Sequence, residues 1–230
     1  MALKDDLKKD VDAIFRTSWE KREGRQVPAP EDVKLGNDAV TLKGTVLYAD
    51  LAESTNLVDT KKDTFAAEVY KSYLHCAAKI IRDEGGEITA FDGDRVMGVF
   101  IGDSKNTQAA RCALKINHAV VNIINPSLKA VYTNSTYVVK QAVGVDTSDL
   151  FIARTGIRGS NDLVWVGRAA NYAAKLCSLR EGSYRSWITE TVYSSLHDSV
   201  KFHEGRAMWE RVKWDEKDIY VYRSAWSWAP

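Results

Sequence analysis

Val46-Leu-Tyr-Ala-Asp-Leu-Ala-Glu-Ser-Thr55 is an apolar run that delivers a carboxylate, Asp50, at its end and then turns polar where a helix opens. Further along, Phe91-Asp-Gly-Asp-Arg-Val-Met-Gly-Val-Phe100 reads as two strands joined at Asp92-Gly93-Asp94, because Asp-Gly is a strong short-range hairpin signal. A chain carrying both must build a sheet. If the two segments are neighbours in it, Asp50 and Asp94 meet at one edge. Two hard carboxylates brought together in this way suit Mg²⁺ or Mn²⁺. Taken singly, each aspartate also fits a plain cap or turn. The pair, with its surroundings, points to a metal.

The rest of the composition narrows the field. The chain has 230 residues, the size of one domain with an appendage. Lys+Arg 32 against Asp+Glu 31 gives a net charge of +1, so no global field favours nucleic acid or a membrane. No apolar run approaches the roughly 18–20 residues needed to span a bilayer. The first ten residues are too charged for a signal peptide. Cys76, Cys112 and Cys177 are scattered, with no CxxC spacing, and read as small core residues. His75, His118, His197 and His203 stand without ligand spacing. The expectation is a reduced, cytoplasmic protein without structural zinc.

In chain order, Leu3, Leu7, Val11, Ile14, Phe15 and Trp19 predict an amphipathic helix over residues 1–22. Gly24 to Pro30 is a breaker-rich linker, and the expected organisation is 1–36, helix and linker, then 37–230, one domain. Val40–Leu42 reads as a short lead-in strand and Gly44–Leu51 as a strand buried on both faces. Helices are expected over Thr64–Glu84, ended by Gly85-Gly86, and over Lys105–Ile124, stopped by Asn125-Pro126. Strands follow over Tyr137–Val145, Leu150–Thr155 and Leu163–Val166, then a helix over Gly167–Leu179. Short strands with one short helix complete the chain. Strand, helix, hairpin, helix, strand is an α+β arrangement, the ferredoxin-like βαββαβ order.

Val46–Thr55, Gly85–Phe100 and Arg154–Leu176 together resemble the class III nucleotidyl cyclases, the adenylate and guanylate cyclase catalytic domain. The likeness runs in order and spacing over roughly residues 40–223. It implies a lyase with a cyclase-type ferredoxin-like palm, working as a homodimer whose active sites lie at the subunit interface. It implies two divalent ions, Mn²⁺ or Mg²⁺, held by Asp50, Asp94 and the backbone carbonyl of Leu51. Asn171 and Lys175, four apart on one helical face, stand where the family keeps its ribose-holding and phosphate-neutralising residues. The chemistry is attack of the ribose 3′-hydroxyl on the α-phosphate, with pyrophosphate leaving. Backbone N–H groups around Ala52, Glu53, Ser54 and Thr55, at a helix start, are the expected phosphate seat, with Lys213 as a further phosphate lysine.

The departures from the family pattern carry the substrate reading. Purine cyclases read the base with a polar pair, and the matching positions here are Ala90 and Val164. Neither side chain can hydrogen-bond a base edge. Tyr48 takes the apolar base-facing position and adds a hydroxyl to a stacking surface. Asp92 alternates to the same side as Ala90, and Val166 lies two residues beyond Val164. This pattern resembles the pyrimidine cyclases of bacterial anti-phage defence (the Pycsar system), which implies a nucleoside triphosphate substrate, UTP ahead of CTP. It implies cyclic UMP as product and a separate cyclic-nucleotide-sensing effector protein. Lys175 stands in place of a more usual arginine, and Ala142 where an arginine is often found. Two other readings stay open: an adenylate or guanylate cyclase with an atypical base pocket, and a silent nucleotide-binding regulatory domain. The Gly-Gly-Asp-Glu-Phe hairpin of diguanylate cyclases is absent.

Overall fold

The computed structural model describes residues 2–230. They fall into two compact units, one made of the segment ending at Lys43 together with Asp149–Gly167, the other of Gly44–Ser148 with Arg168–Pro230. The sequence reading places its boundary at 36/37 instead, and leaves 149–167 with the catalytic part.

In the first unit, α1 (Leu3–Arg16) and β1 (Glu20–Glu23) precede β2 (Asp38–Leu51), whose first residues pair with β1 in parallel from Glu20↔Asp38 to Glu23↔Thr41. The amphipathic helix is present but ends at Arg16 rather than at 22, where Thr17 turns to extended backbone. Asn37 closes that end, donating from Nδ2 to the carbonyls of Ile14 (2.8 Å) and Thr17 (2.6 Å). Trp19 therefore leaves the helix and packs edge-on against Phe151, ring centroids 4.9 Å apart. The apolar stripe of α1 is exposed in the chain as it stands, with Phe15 at 84%.

The second unit continues β2 from Gly44 and adds α2 (Ser54–Thr60), α3 (Asp63–Asp83), β3 (Glu87–Asp92), β4 (Arg95–Phe100), α4 (Lys105–Ala119), α5 (Asn125–Val131) and the start of β5 (Gln141–Ile157). The expected helix to Ile124 does not stop at Asn125-Pro126. A π-turn, Val120–Ile124, intervenes, with the Asn125 N–H reaching the Val120 carbonyl, and the helix resumes as α5. The widened turn accommodates Pro126, whose ring and missing N–H disrupt a regular turn. The strands expected at Tyr137–Val145 and Leu150–Thr155 are one strand, β5, starting at Gln141. Its far end folds back as a hairpin with β6 (Ser160–Val166) in the first unit.

After α6 (Arg168–Leu176), shorter than the expected 167–179, come β7 (Ser186–Thr189), α7 (Glu190–Ser194), α8 (Asp198–Lys201), β8 (Phe202–His203), β9 (Arg206–Ala207), β10 (Glu210–Trp214) and β11 (Ile219–Ser224). The tail thus has two short helices rather than one. The strand order is β10-β11-β7-β5-β2-β4-β3, and its β5-β2-β4-β3 part is the expected βαββαβ sheet. Strand alternation divides β2 between two environments. Leu47, Ala49 and Leu51 enter the core formed with Phe65, Val69, Tyr73, Ala77 and Ile81 of α3 and with α4. Tyr48 and Asp50 point to the opposite face.

Candidate active site

On that opposite face the register sets two rows of side chains side by side. Tyr48 pairs with Met97, and Met97 with Ala90; Asp50 pairs with Arg95, and Arg95 with Asp92. The β3–β4 turn, with Gly93 at φ 60° where a side chain would be strained, then returns Asp94 beside the end of β2. The Leu51 N–H lies 3.4 Å from the Asp94 carbonyl. Asp50 and Asp94 are brought together as their positions predict. Burial, and then the charge of Asp94, push the Asp50 carboxyl above the usual carboxylate range, against the pull of Arg180. Asp94 Oδ2 is buried without a hydrogen-bond partner. A buried carboxylate oxygen with nothing to accept from is costly. A cation bound at this edge would satisfy it. Among the described residues no cluster of three or more His, Cys, Asp or Glu forms a metal cage, so a divalent ion at this edge would have two carboxylates and backbone oxygen as its protein donors. That donor set fits Mg²⁺ or Mn²⁺, which leave several positions for water and phosphate.

Tyr48 is half-buried, and its phenol is pushed up by burial. The Arg95 guanidinium lies over its ring, 5.2 Å from the centroid, and is fixed from the other side by Asp92 at 2.9 Å. Asp92 is thus tied to Arg95, a residue the sequence reading passed over although it follows Asp94 directly. Val164 and Val166 stand on β6 in the first unit, 39% and 55% exposed, while Trp165 between them turns inward.

Asn171 and Lys175 are both exposed on α6, as their spacing predicts. Lys175 Nζ is engaged by Glu216 Oε1 at 2.5 Å, at the β10–β11 turn. Lys213, on edge strand β10, pairs with Asp218 at 2.8 Å. At the expected phosphate seat, the Ala52 N–H already donates to the Lys140 carbonyl (2.9 Å). Glu53 adopts φ 62° and its side chain meets Lys140 Nζ at 3.0 Å. The first-turn N–H groups of α2, beginning at Ser54 and Thr55, have no partner within the helix.

No protein-family model matches the chain. The uridylate cyclase of Burkholderia cepacia is 55% identical over 231 residues, covering 100% of both chains. That of Xanthomonas perforans is 53% identical over 230 residues, 99% of each. The chain belongs to the uridylate cyclase family. Like these relatives, it is a nucleotidyl cyclase, a lyase. The crystal structure of the guanylyl cyclase Cya2 superposes with a TM-score of 0.68 at 18% identity, over 83% of this chain and 95% of that one, and shares the fold. Among the described residues no helix is long and apolar enough to cross a membrane.

Two further arginines of this cyclase are held by carboxylates. Arg168 is structural. It grips the fully buried Asp146 with Nε at 3.0 Å and Nη2 at 3.1 Å, and Thr189 Oγ1 donates to the same carboxylate at 2.6 Å. This pins the start of α6 to β5, where Ser148 Oγ also accepts the Ala169 N–H at 3.0 Å. Arg180, absent from the sequence reading, places Nη2 2.9 Å from Asp50 Oδ2. No periodic pattern marks it, because it lies in the irregular stretch after α6.

Proposed function

We propose that this protein converts UTP to cyclic UMP and pyrophosphate, through attack of the ribose 3′-hydroxyl on the α-phosphate. The observation that carries the base preference is the Tyr48–Met97–Ala90 row. It offers an aromatic surface and a phenol beside a position with no polar side chain, where a purine cyclase needs one. The name of the full-length relatives, uridylate cyclase, supports the same choice. The Arg95 guanidinium, a donor, suits the carbonyl oxygens of uracil better than the amino group of cytosine.

Asp50 and Asp94, with the Leu51 carbonyl, would hold a pair of divalent ions in this reading. Such ions would lower the pKa of the 3′-hydroxyl and steady the leaving pyrophosphate. The chain's own residues do the rest. The open N–H groups at Ser54 and Thr55 receive phosphate oxygens, Asn171 orients the ribose for in-line attack, and Lys175 offsets charge growing on the α-phosphate. Lys175 faces Glu216 and not Asp50 in one chain, which favours a site shared across a homodimer. The product serves as a second messenger in anti-phage defence, read by a separate effector; this part rests on the Pycsar resemblance.

The test is to incubate purified protein with Mn²⁺ and each of ATP, GTP, CTP and UTP, and to resolve the products by mass. Cyclic UMP is expected. Cyclic CMP as the main product would overturn the role given to Arg95, and a cyclic purine would overturn the whole pocket. No product from any of the nucleotides would defeat the proposed reaction.

A further inference from the structure

Arg180 lies past the C-terminal end of α6, and its guanidinium is held from both sides. Nη1 donates to the carbonyls of Cys177 and Leu179, the latter at 3.4 Å, while Nη2 donates to Asp50 Oδ2 at 2.9 Å. The pair is partly shielded, with side chains 33% and 19% exposed. Asp50 has this cation; Asp94, close by, has a buried oxygen with none. Two carboxylates crowded at one sheet edge repel, and a fixed positive charge is what keeps such a site assembled.

We infer that Arg180 is the resident counter-cation of the metal site: it positions Asp50 while no metal is bound and gives the carboxylate up when a divalent ion arrives, so that it sets the affinity for that ion. This rests on Asp50 and Asp94 being the metal ligands. A guanidinium and a divalent cation on one carboxylate repel each other across a short distance, so both cannot stay on Asp50 at full strength. Arg180 also has somewhere to go. The carbonyls that close α6 already accept from Nη1, so the freed side chain keeps partners and the helix end keeps a cation. Arg180 is therefore a positioning residue, and the consequence is a threshold. Divalent ion must outcompete an internal ion pair before the site is loaded.

The experiment measures Mn²⁺ binding to the full-length protein without nucleotide, by electron paramagnetic resonance of free Mn²⁺, together with thermal melting with and without the ion. Arg180→Met should bind Mn²⁺ about fivefold more tightly, the factor that matches loss of one competing, partly exposed ion pair. Its metal-free melting temperature should fall, and the difference should close at saturating Mn²⁺. Arg180→Lys, which keeps the charge without the fork, should lie between. Unchanged or weaker Mn²⁺ affinity in Arg180→Met would overturn the inference, since a merely structural arginine would behave so. Asp50→Asn separates the two readings. If it loses Mn²⁺ binding while Arg180→Met binds as wild type, only the counter-cation role fails. If it binds normally, the metal assignment falls as well.

Discussion

Lys175 and Arg180 flank the end of one helix and face different carboxylates, Glu216 and Asp50. Both are cations near proposed phosphate or metal chemistry, yet their consequences differ. Lys175 is exposed and engages an exposed partner, so its loss costs the fold little. Its proposed work is in the transition state, and Lys175→Ala should lower kcat by on the order of 100-fold, the loss expected for one charge stabiliser, with the melting temperature nearly unchanged. A loss of only a few-fold would return it to the role of a solvated lysine. Asp50 and Asp94 were readable from a strand end and a hairpin turn, and Asn171 and Lys175 through the resemblance to the class III cyclases. Arg180 was not, since only the fold brings a residue from the irregular segment after α6 against the end of β2. Arg95 was within reach of the sequence. Its pairing with Asp50 and Asp92 follows from the hairpin register, and a basic residue between two acids on one face was the available signal.

At the scale of elements, α6 depends on a glycine in the strand beneath it. A Cβ on Gly144 of β5 would fall 2.5 Å from the Cys177 nitrogen and 2.8 Å from Leu176 Cβ, besides meeting the Ala173 carbonyl. Helix and sheet touch backbone to backbone there, and the contact sets the height of Asn171 and Lys175 above the sheet. Gly144→Ala should therefore cost stability, about 1–3 kcal/mol from overpacking, and should lower kcat as well, because the helix must lift. Melting and turnover measured on the same preparation check this; wild-type turnover would show that α6 tolerates the shift. Helices α3 and α4, the β3–β4 hairpin and the β2 core run were legible because their apolar periods are unbroken. Two element boundaries were not. Asp146 is polar yet fully buried, held by Arg168 and Thr189, so a continuous strand looked like two. Pro126 looked like a stop, because nothing in the sequence announces a π-turn that lets the helix absorb it.

At the scale of the molecule, the distribution of chemistry within one chain argues for a second copy. In one chain Lys175 Nζ is taken by Glu216 at the β10–β11 turn, while Asp50 is held by Arg180. Attack by the 3′-hydroxyl requires metal ligands and charge stabiliser to converge on one α-phosphate, within a few ångströms of each other. In the proposed two-fold dimer the aspartates of one copy would meet Asn171 and Lys175 of the other. The consequence can be counted. Asp50→Ala and Lys175→Ala should each be nearly inactive alone. Mixed in equal amounts and allowed to exchange, half the dimers become heterodimers, each with one site carrying both changes and one carrying neither. Activity should then return to about a quarter of wild type. A mixture no more active than the sum of its parents, once exchange has been verified by mass, would place the whole site within a single chain. The Lys175–Glu216 pairing would then have to break for catalysis.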